Sequence, residues 1–360
     1  MPPASAEPHT GGVFELSILV ARARPRDRTG IAFTCTPVIS SLHMNHVDCL
    51  VLIPAGPATV LPYLDDTIAS VNHHVGVASC TVVVLDDSRR DQCAGIADRF
   101  PNAVSIKAPD YSEGTQSRTR GALFAKQVYA LKWMMERYRF DIFLRMDTDA
   151  IMIGDAPHED ALAFLKQQPN VGMVGAFRRR GDGTDKTPAM LAKGRELTRE
   201  AAVRFGLKNL ALATTLRRLL RQAETHGYTR GDMCTGGAYF LSRRALVAMH
   251  EQGLFNLKAL ECSSLADDAL MALLCSAAGY RLSDLPEERD VLAINWRGMP
   301  MPPEVLVSRN KKIVHPIKDD DPTVEPGIRA YFQCRRSAAA ALASSSSKFA
   351  VSRQAADHRS

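Results

Sequence analysis

The first half of the chain alternates short apolar runs with stretches of helical period. Residues 47–54 (Val-Asp-Cys-Leu-Val-Leu-Ile-Pro) form a run stopped by Pro54 and Gly56, the pattern of a buried parallel strand. A helix is predicted over 61–71, then a second strand over 81–85 that closes on Asp86 and Asp87. Another helix over 91–100 and a weak strand over 103–107 follow. The clearest helix covers 119–137, where Phe124, Val128, Leu131 and Met135 recur on one face. Residues 140–146 read as a strand that delivers Asp147 at its C-terminal end. Repeated β-α-β units imply a mostly parallel sheet with right-handed crossovers, and ligands of such sheets bind at the carboxyl ends of the strands. Asp86, Asp87, Asp147 and Asp149 are therefore expected on one rim.

The second half is less regular. It reads as a strand over 171–177, a polar loop over 178–186, helix over 188–226, a strand over 236–241 and a helix over 266–278 ended by Gly279. Residues 1–45 mix Pro, Arg and Ser without a period and read as a poorly ordered extension; 337–360, with its Ala and Ser runs, reads as a disordered tail. One α/β domain over 46–336 lies between them, divided into a nucleotide-binding half (46–155) and an acceptor half (156–336).

Composition narrows this little. Hydrophobic residues at 46% and charged residues at 23% exclude a wholly disordered or fibrous chain. A formal charge of +6 favours anionic partners such as nucleotide diphosphates or acidic lipid headgroups. Without clustered aromatic and basic motifs, no nucleic acid partner is expected. None of the 8 cysteines forms a Cys-x-x-Cys pair. The apolar stretch 13–21 is too short to span a bilayer, and residues 1–10 carry no signal sequence, so the expected location is cytoplasmic, with reduced thiols.

Asp147-Thr148-Asp149 is the central motif. Two carboxylates flanking one residue at a strand end can hold a hard divalent cation, Mn²⁺ or Mg²⁺, and leave positions for phosphate oxygens. Such a cation neutralises charge on a departing diphosphate. Asp86 and Asp87 can accept hydrogen bonds from a nucleobase or ribose, or equally cap a helix. Arg118, Arg120 and Lys126 can meet a diphosphate, or form a solvated helix face. Asp267 and Asp268 open a helix, where carboxylates are favoured by the macrodipole; a carboxylate there can also serve as a base. His315 offers a neutral imidazole as a third metal ligand or packs as a loop histidine. Arg178-Arg179-Arg180 and Arg217, Arg218 and Arg221 are charge clusters; the latter helix fits an anionic membrane surface or plain solvation.

In sequence order these motifs resemble the GT-A glycosyltransferases, especially the β-1,3-galactosyltransferase and Fringe type. The resemblance begins in the segment from Lys126 to Gly154, with a Lys-containing amphipathic helix, an apolar strand and the Asp triplet. It continues through Thr235-Gly236-Gly237-Ala238-Tyr239-Phe240-Leu241-Ser242, the acid pair Asp267-Asp268 and Lys312-Ile313-Val314-His315-Pro316. It implies a GT-A fold (Rossmann-like, a mostly parallel sheet flanked by helices) and transfer of a sugar, most simply from a UDP-sugar, to a glycan, lipid or protein acceptor. By analogy Asp268 is the general base of an inverting transfer, Asp267 stands where the family has Glu, Gly236 and Gly237 line the acceptor side, and His315 completes the metal shell. Two rival readings are a haloacid-dehalogenase-type phosphatase, with acids drawn from Asp182 and Asp185, and a GT-A-like binding protein without turnover.

Overall fold

In the computed structural model, which describes residues 45–109, 120–202, 210–318, 321 and 323–357, the chain opens with β1 (Asn45–Ala55), α1 (Leu61–Val75), β2 (Cys80–Asp86), α2 (Ile96–Arg99) and β3 (Ala103–Lys107). α3 (Arg120–Arg137), β4 (Tyr138–Met146), β5 (Ile151–Met152), α4 (Pro157–Gln167) and β6 (Val171–Gly175) follow. Then come α5 (Thr187–Glu200), α6 (Leu210–Glu224), β7 (Ala238–Ser242), α7 (Arg243–Glu251) and α8 (Asp267–Ala277). β8 (Arg281–Ser283), β9 (Leu292–Ile294), α9 (Pro303–Ser308), β10 (Ile313–His315) and α10 (Val324–Asp357) complete the chain.

Alternation along the strands sorts the core into two layers, because successive side chains point to opposite faces. Leu50 and Leu52 of β1 join Phe143 of β4 beneath α3, α6 and α8. Cys49, Val51 and Ile53 join Ile142 and Leu144 beneath α1 and α4. Each fully buried side chain of this size contributes about 1.5–3 kcal/mol, which explains why both faces of the central strands carry apolar residues.

A seven-stranded sheet in the order β3-β2-β1-β4-β7-β6-β8 results, flanked by helices. All strand pairs are parallel except those of β7, which is antiparallel to β4 and β6. The sheet is thus mixed α/β and mostly parallel, and it runs unbroken across the two halves read from the sequence. Because β7 points the other way, its entry residues Gly236 and Gly237 lie on the same rim as the carboxyl end of β4. Ser242 then turns the chain into α7, its hydroxyl accepting from the Ala245 amide at 3.2 Å. A second sheet, β5-β10-β9, packs with α9 and α10 around Ile151, Leu306, Val314 and Phe332.

Several sequence expectations change. The helix over 91–100 shrinks to α2, because the Asp86 carboxylate captures the amides of Ser88 (2.8 Å) and Cys93 (3.2 Å) and Asp91 adopts φ 48°. The helical stretch 188–226 is two helices, α5 and α6, with 203–209 outside the described residues. The tail expected without structure from 337 is helical through Asp357: its Ala run is a strong helix former, and the last glycine is Gly327. Of the extension read over 1–45, only Asn45 lies within the described residues. Among the described residues, no helix is long and apolar enough to cross a membrane.

Candidate functional site

Asp147, Thr148 and Asp149 follow directly from β4, and every carbonyl of this short loop that could wander is held. The Asp147 amide donates to Gly237 O at 2.9 Å, and the Ile317 amide donates to Asp149 O at 3.0 Å. The Thr67 hydroxyl of α1 lies 3.0 Å from Thr148 O and 3.1 Å from Ala150 O. Arg329 of α10, itself buried, donates to Thr148 O at 3.0 Å and pairs with Asp66 at 2.9 Å. A loop of three residues is therefore fixed by four separate elements before any ligand is considered.

His315, at the end of β10, brings the third group. Its Nε2 stands 3.5 Å from Asp147 Oδ2 and 3.4 Å from Asp149 Oδ1. Its Nδ1 is 2.9 Å from Asn295 O, and a carbonyl only accepts, so Nδ1 carries a proton and Nε2 is the nitrogen turned toward the two carboxylates. One ligand atom from each of Asp147, Asp149 and His315 falls within a 4.8 Å cluster. Two carboxylates and one neutral imidazole suit a hard divalent cation of the Mn²⁺ or Mg²⁺ type. Gly237 is what lets the ring in: a Cβ there would lie 1.9 Å from His315 Nδ1.

The charges of the loop are split by their surroundings. Burial works against the Asp149 charge, but the hydrogen bond with His315 and the ammonium of Lys318 at 2.7 Å hold its carboxyl well below the usual carboxylate range. Desolvation pushes the Asp147 carboxyl up, against the pull of Arg145 and His315. Arg145 is the organising cation. It leaves β4 into the cleft, reaches Asp147 at 2.8 Å and Asp267 at 3.1 Å, and donates to Gly236 O. Burial opposes its charge, but Asp147 and Asp267 outweigh it and keep the guanidinium protonated.

Asp267 and Asp268 open α8, buried side by side. Asp267 Oδ2 accepts from Arg145 and from Gln127 at 2.8 Å, so this carboxylate is already engaged. Asp268 keeps one oxygen on its own helix, accepting from the Ala269 amide at 2.8 Å. Its other oxygen faces Gly236, where a Cβ would lie 3.3 Å away. Burial, reinforced by the Asp267 charge, pushes the Asp268 carboxyl up to about 6. Lys186 opposes that rise from the same pocket; it is buried, donates to Ala176 O and Met233 O at 2.8 Å each, and is itself lowered by burial.

The remaining sequence candidates divide. Asp87 and Lys126 pair at 2.5 Å on the rim, the carboxylate one-third exposed (33%). Asp86 lies beside them, but both its oxygens hold backbone amides of its own turn, which makes it a loop-builder. Arg120 is exposed at the start of α3, and Arg118 lies outside the described residues. Asp182 and Asp185 accept from Thr184 and Thr187 in exposed turns, apart from the Asp147 cluster, which removes the acids a phosphatase reading needs. Arg145, Gln127, Lys186, Asn295 and Arg329 were not anticipated. Only Arg145 left a signal, a charge inside the fully buried stretch 142–146 of β4.

No protein-family model matches the sequence, and no curated protein sequence matches it. Among solved structures, the chain is similar to the mannosyltransferase PcManGT from Pyrobaculum calidifontis, solved in complex with GDP-Man and Mn²⁺. The two are 14% identical with a TM-score of 0.36, and the match covers 69% of this chain and 58% of that one. It is also similar to TarS 1-349 from S. aureus, solved alone and in complex with UDP, at 19% identity and a TM-score of 0.27 over 36% of this chain and 35% of that one. The chain therefore spans little more than half of the first protein's length and about a third of the second's.

Proposed function

We propose that this chain is a GT-A-type glycosyltransferase. It transfers a sugar from a nucleotide-diphosphate sugar, with UDP as the expected nucleotide, to an acceptor hydroxyl, and it depends on Mn²⁺ or Mg²⁺. The observation that carries this reading is the orientation of His315, whose protonated Nδ1 is tied to Asn295 O while Nε2 faces Asp147 and Asp149 at the sheet rim. Two carboxylates and an imidazole nitrogen converging on one point form a ready donor set for a shared divalent cation.

Asp147, Asp149 and His315 would hold the cation, which supplies Lewis-acid stabilisation of the departing diphosphate. Asp87 and Lys126 sit along the same rim and suit the ribose and phosphate end of the donor. Asp268 is the base: a carboxylate with its pKa near 6 is mostly ionised at neutral pH yet basic enough to take a proton. The acceptor hydroxyl gives its proton to Asp268 as its oxygen bonds to the anomeric carbon. The anomeric C–O bond breaks on the opposite face, and the diphosphate leaves with the electron pair, inverting the centre. Asp267 and Arg145 position this apparatus, linking the base side to Asp147 through one guanidinium. Gly236 and Gly237 keep the ribbon between Asp268 and His315 thin enough for both to approach.

Calorimetry with UDP tests the reading. Binding is expected with Mn²⁺ and lost on adding a chelator, and donor hydrolysis over a panel of nucleotide sugars should follow the same metal dependence. Equal UDP affinity with and without chelator would remove the metal from the mechanism.

A further inference from the structure

Two consecutive helices, α5 and α6, present an arginine-rich surface. α6 buries Leu212, Leu216, Leu219 and Leu220 in the core and turns Arg217, Arg218 and Arg221 outward. α5 buries Met190 and Leu197 and turns Arg195 and Arg199 outward. Gly194 seats the neighbouring loop against α5, where a Cβ would lie 2.4 Å from Arg230 O. Thr198, Ala202 and Arg230 are shared by two shallow depressions, one bordered by Arg195 and Arg199, the other by Arg217 and Arg221. Arg195, Arg199, Arg217 and Arg221 therefore belong to one continuous face.

The acids of this region do not neutralise that face. Glu196 pairs with Lys193 at 2.5 Å, Glu200 accepts from Ser263 and Ser264, and Glu224 pairs with Arg230 at 2.7 Å. Among the described residues no carboxylate pairs with Arg195, Arg199, Arg217, Arg218 or Arg221. Each helix also exposes one leucine at or near its start, Leu191 at 56% and Leu210 at 41%; among the described residues these are the leucines most open to solvent. Arginines around protruding leucines match a bilayer interface, where guanidinium groups meet anionic headgroups and leucines enter the acyl boundary. A polyanion without an apolar layer would leave the leucines in water.

We propose that the arginine face of α5 and α6 docks the protein on an anionic lipid bilayer. The proposal uses no residue of the metal cluster or of the Asp268 pocket, so it stands or falls apart from the catalytic reading. Co-sedimentation with vesicles tests it, using phosphatidylcholine alone and phosphatidylcholine mixed with phosphatidylglycerol. The wild type should sediment with the mixed vesicles and stay in solution with the neutral ones, and added salt should release it. Arg217→Gln with Arg221→Gln should lower partitioning about 30-fold, since each arginine near such a surface is worth about fivefold. Arg195→Gln with Arg199→Gln on the other helix should do the same, which guards against a folding defect in either variant. Leu191→Ser with Leu210→Ser should weaken binding at unchanged charge. Absence of wild-type binding to mixed vesicles, equal binding to neutral vesicles, or unchanged partitioning in both arginine variants would each overturn the proposal. So would binding to duplex DNA that is lost in the arginine variants while vesicles go unbound, which would assign the face to nucleic acid.

Discussion

Gly237→Ala asks whether His315 is a ligand. The Cβ it adds would stand 1.9 Å from His315 Nδ1, 2.0 Å from Cγ and 2.4 Å from Cε1. Ordinary contact between such atoms begins near 3.5 Å, so the ring must retreat by about 1.5 Å. Metal sites tolerate shifts of about 0.2 Å in ligand position, and the same retreat pulls Nδ1 from Asn295 O. Mn²⁺ affinity should therefore fall by at least about 100-fold, the upper range for losing an outer-shell support. Overpacking together with the lost hydrogen bond should cost about 2–4 kcal/mol of stability. Gly237 is not among the glycines with positive φ, so backbone strain contributes nothing and the effect reports on the ring alone. Gly236→Ala is the matched control: its Cβ meets Asp268 Oδ2 at 3.3 Å, a contact that a few tenths of an ångström relieve. Mn²⁺ calorimetry on both variants, with urea unfolding alongside, reads the two effects separately. Wild-type Mn²⁺ affinity in Gly237→Ala would strike His315 from the ligand set.

Asp268→Asn should lower transfer about 10²–10⁴-fold while Mn²⁺-dependent UDP binding persists, since the amide oxygen still accepts from Ala269; wild-type turnover in this variant would leave Asp268 a mere helix opener. With the Asp268 carboxyl up at about 6, wild-type turnover should fall as pH drops through that value, and a profile flat across it would refute the assignment. The folded state holds this proton better than the unfolded chain, so the stability it contributes is lost as pH rises from the ordinary carboxylate range through about 6 and stays lost above it; Asp268→Asn should then melt no lower than wild type at neutral pH. Arg329→Met leaves buried Asp66 with Arg336 and Gln333 as its remaining partners and Thr148 O with Thr67 alone, at a cost of about 1.5–3 kcal/mol in urea unfolding. A loss below about 1 kcal/mol would show that the ion pair contributes nothing net.

The strands and their acid-bearing ends were legible because burial on both faces leaves an apolar run and a turn leaves Pro, Gly or Asp. Residues 47–54, 81–85 and 140–146 read as strands, and Asp86, Asp87, Asp147 and Asp149 at the ends of the last two could be placed on one rim from the sequence alone. The reversal of β7 was not legible: Ala238 to Ser242 reads the same in either direction, and only its neighbours decide. The supports of the site were hidden for a related reason. Arg145 bonds to Asp267 across 122 residues and Arg329 to Thr148 across 181, and no local pattern marks either end. Asp86 shows the opposite error, since a carboxylate at a strand end looks available until its two oxygens are found on the amides of its own turn.

The grip of Arg329 on Thr148 also sets a timetable for synthesis. The strands β1, β2 and β4 emerge from the ribosome early and can pair at once, but the carbonyl of Thr148 waits for a guanidinium 181 residues further along. At about 5–20 residues per second that interval is about ten to forty seconds. For most of it the nascent chain carries Asp147 and Asp149 on a loop that Thr67 can hold but α10 cannot, and His315 arrives only near its end. A growing polypeptide thus first meets cellular divalent cations with two acids and no imidazole; the ligand set is complete once β10 is made, and its loop is fully held only when α10 folds back onto α1.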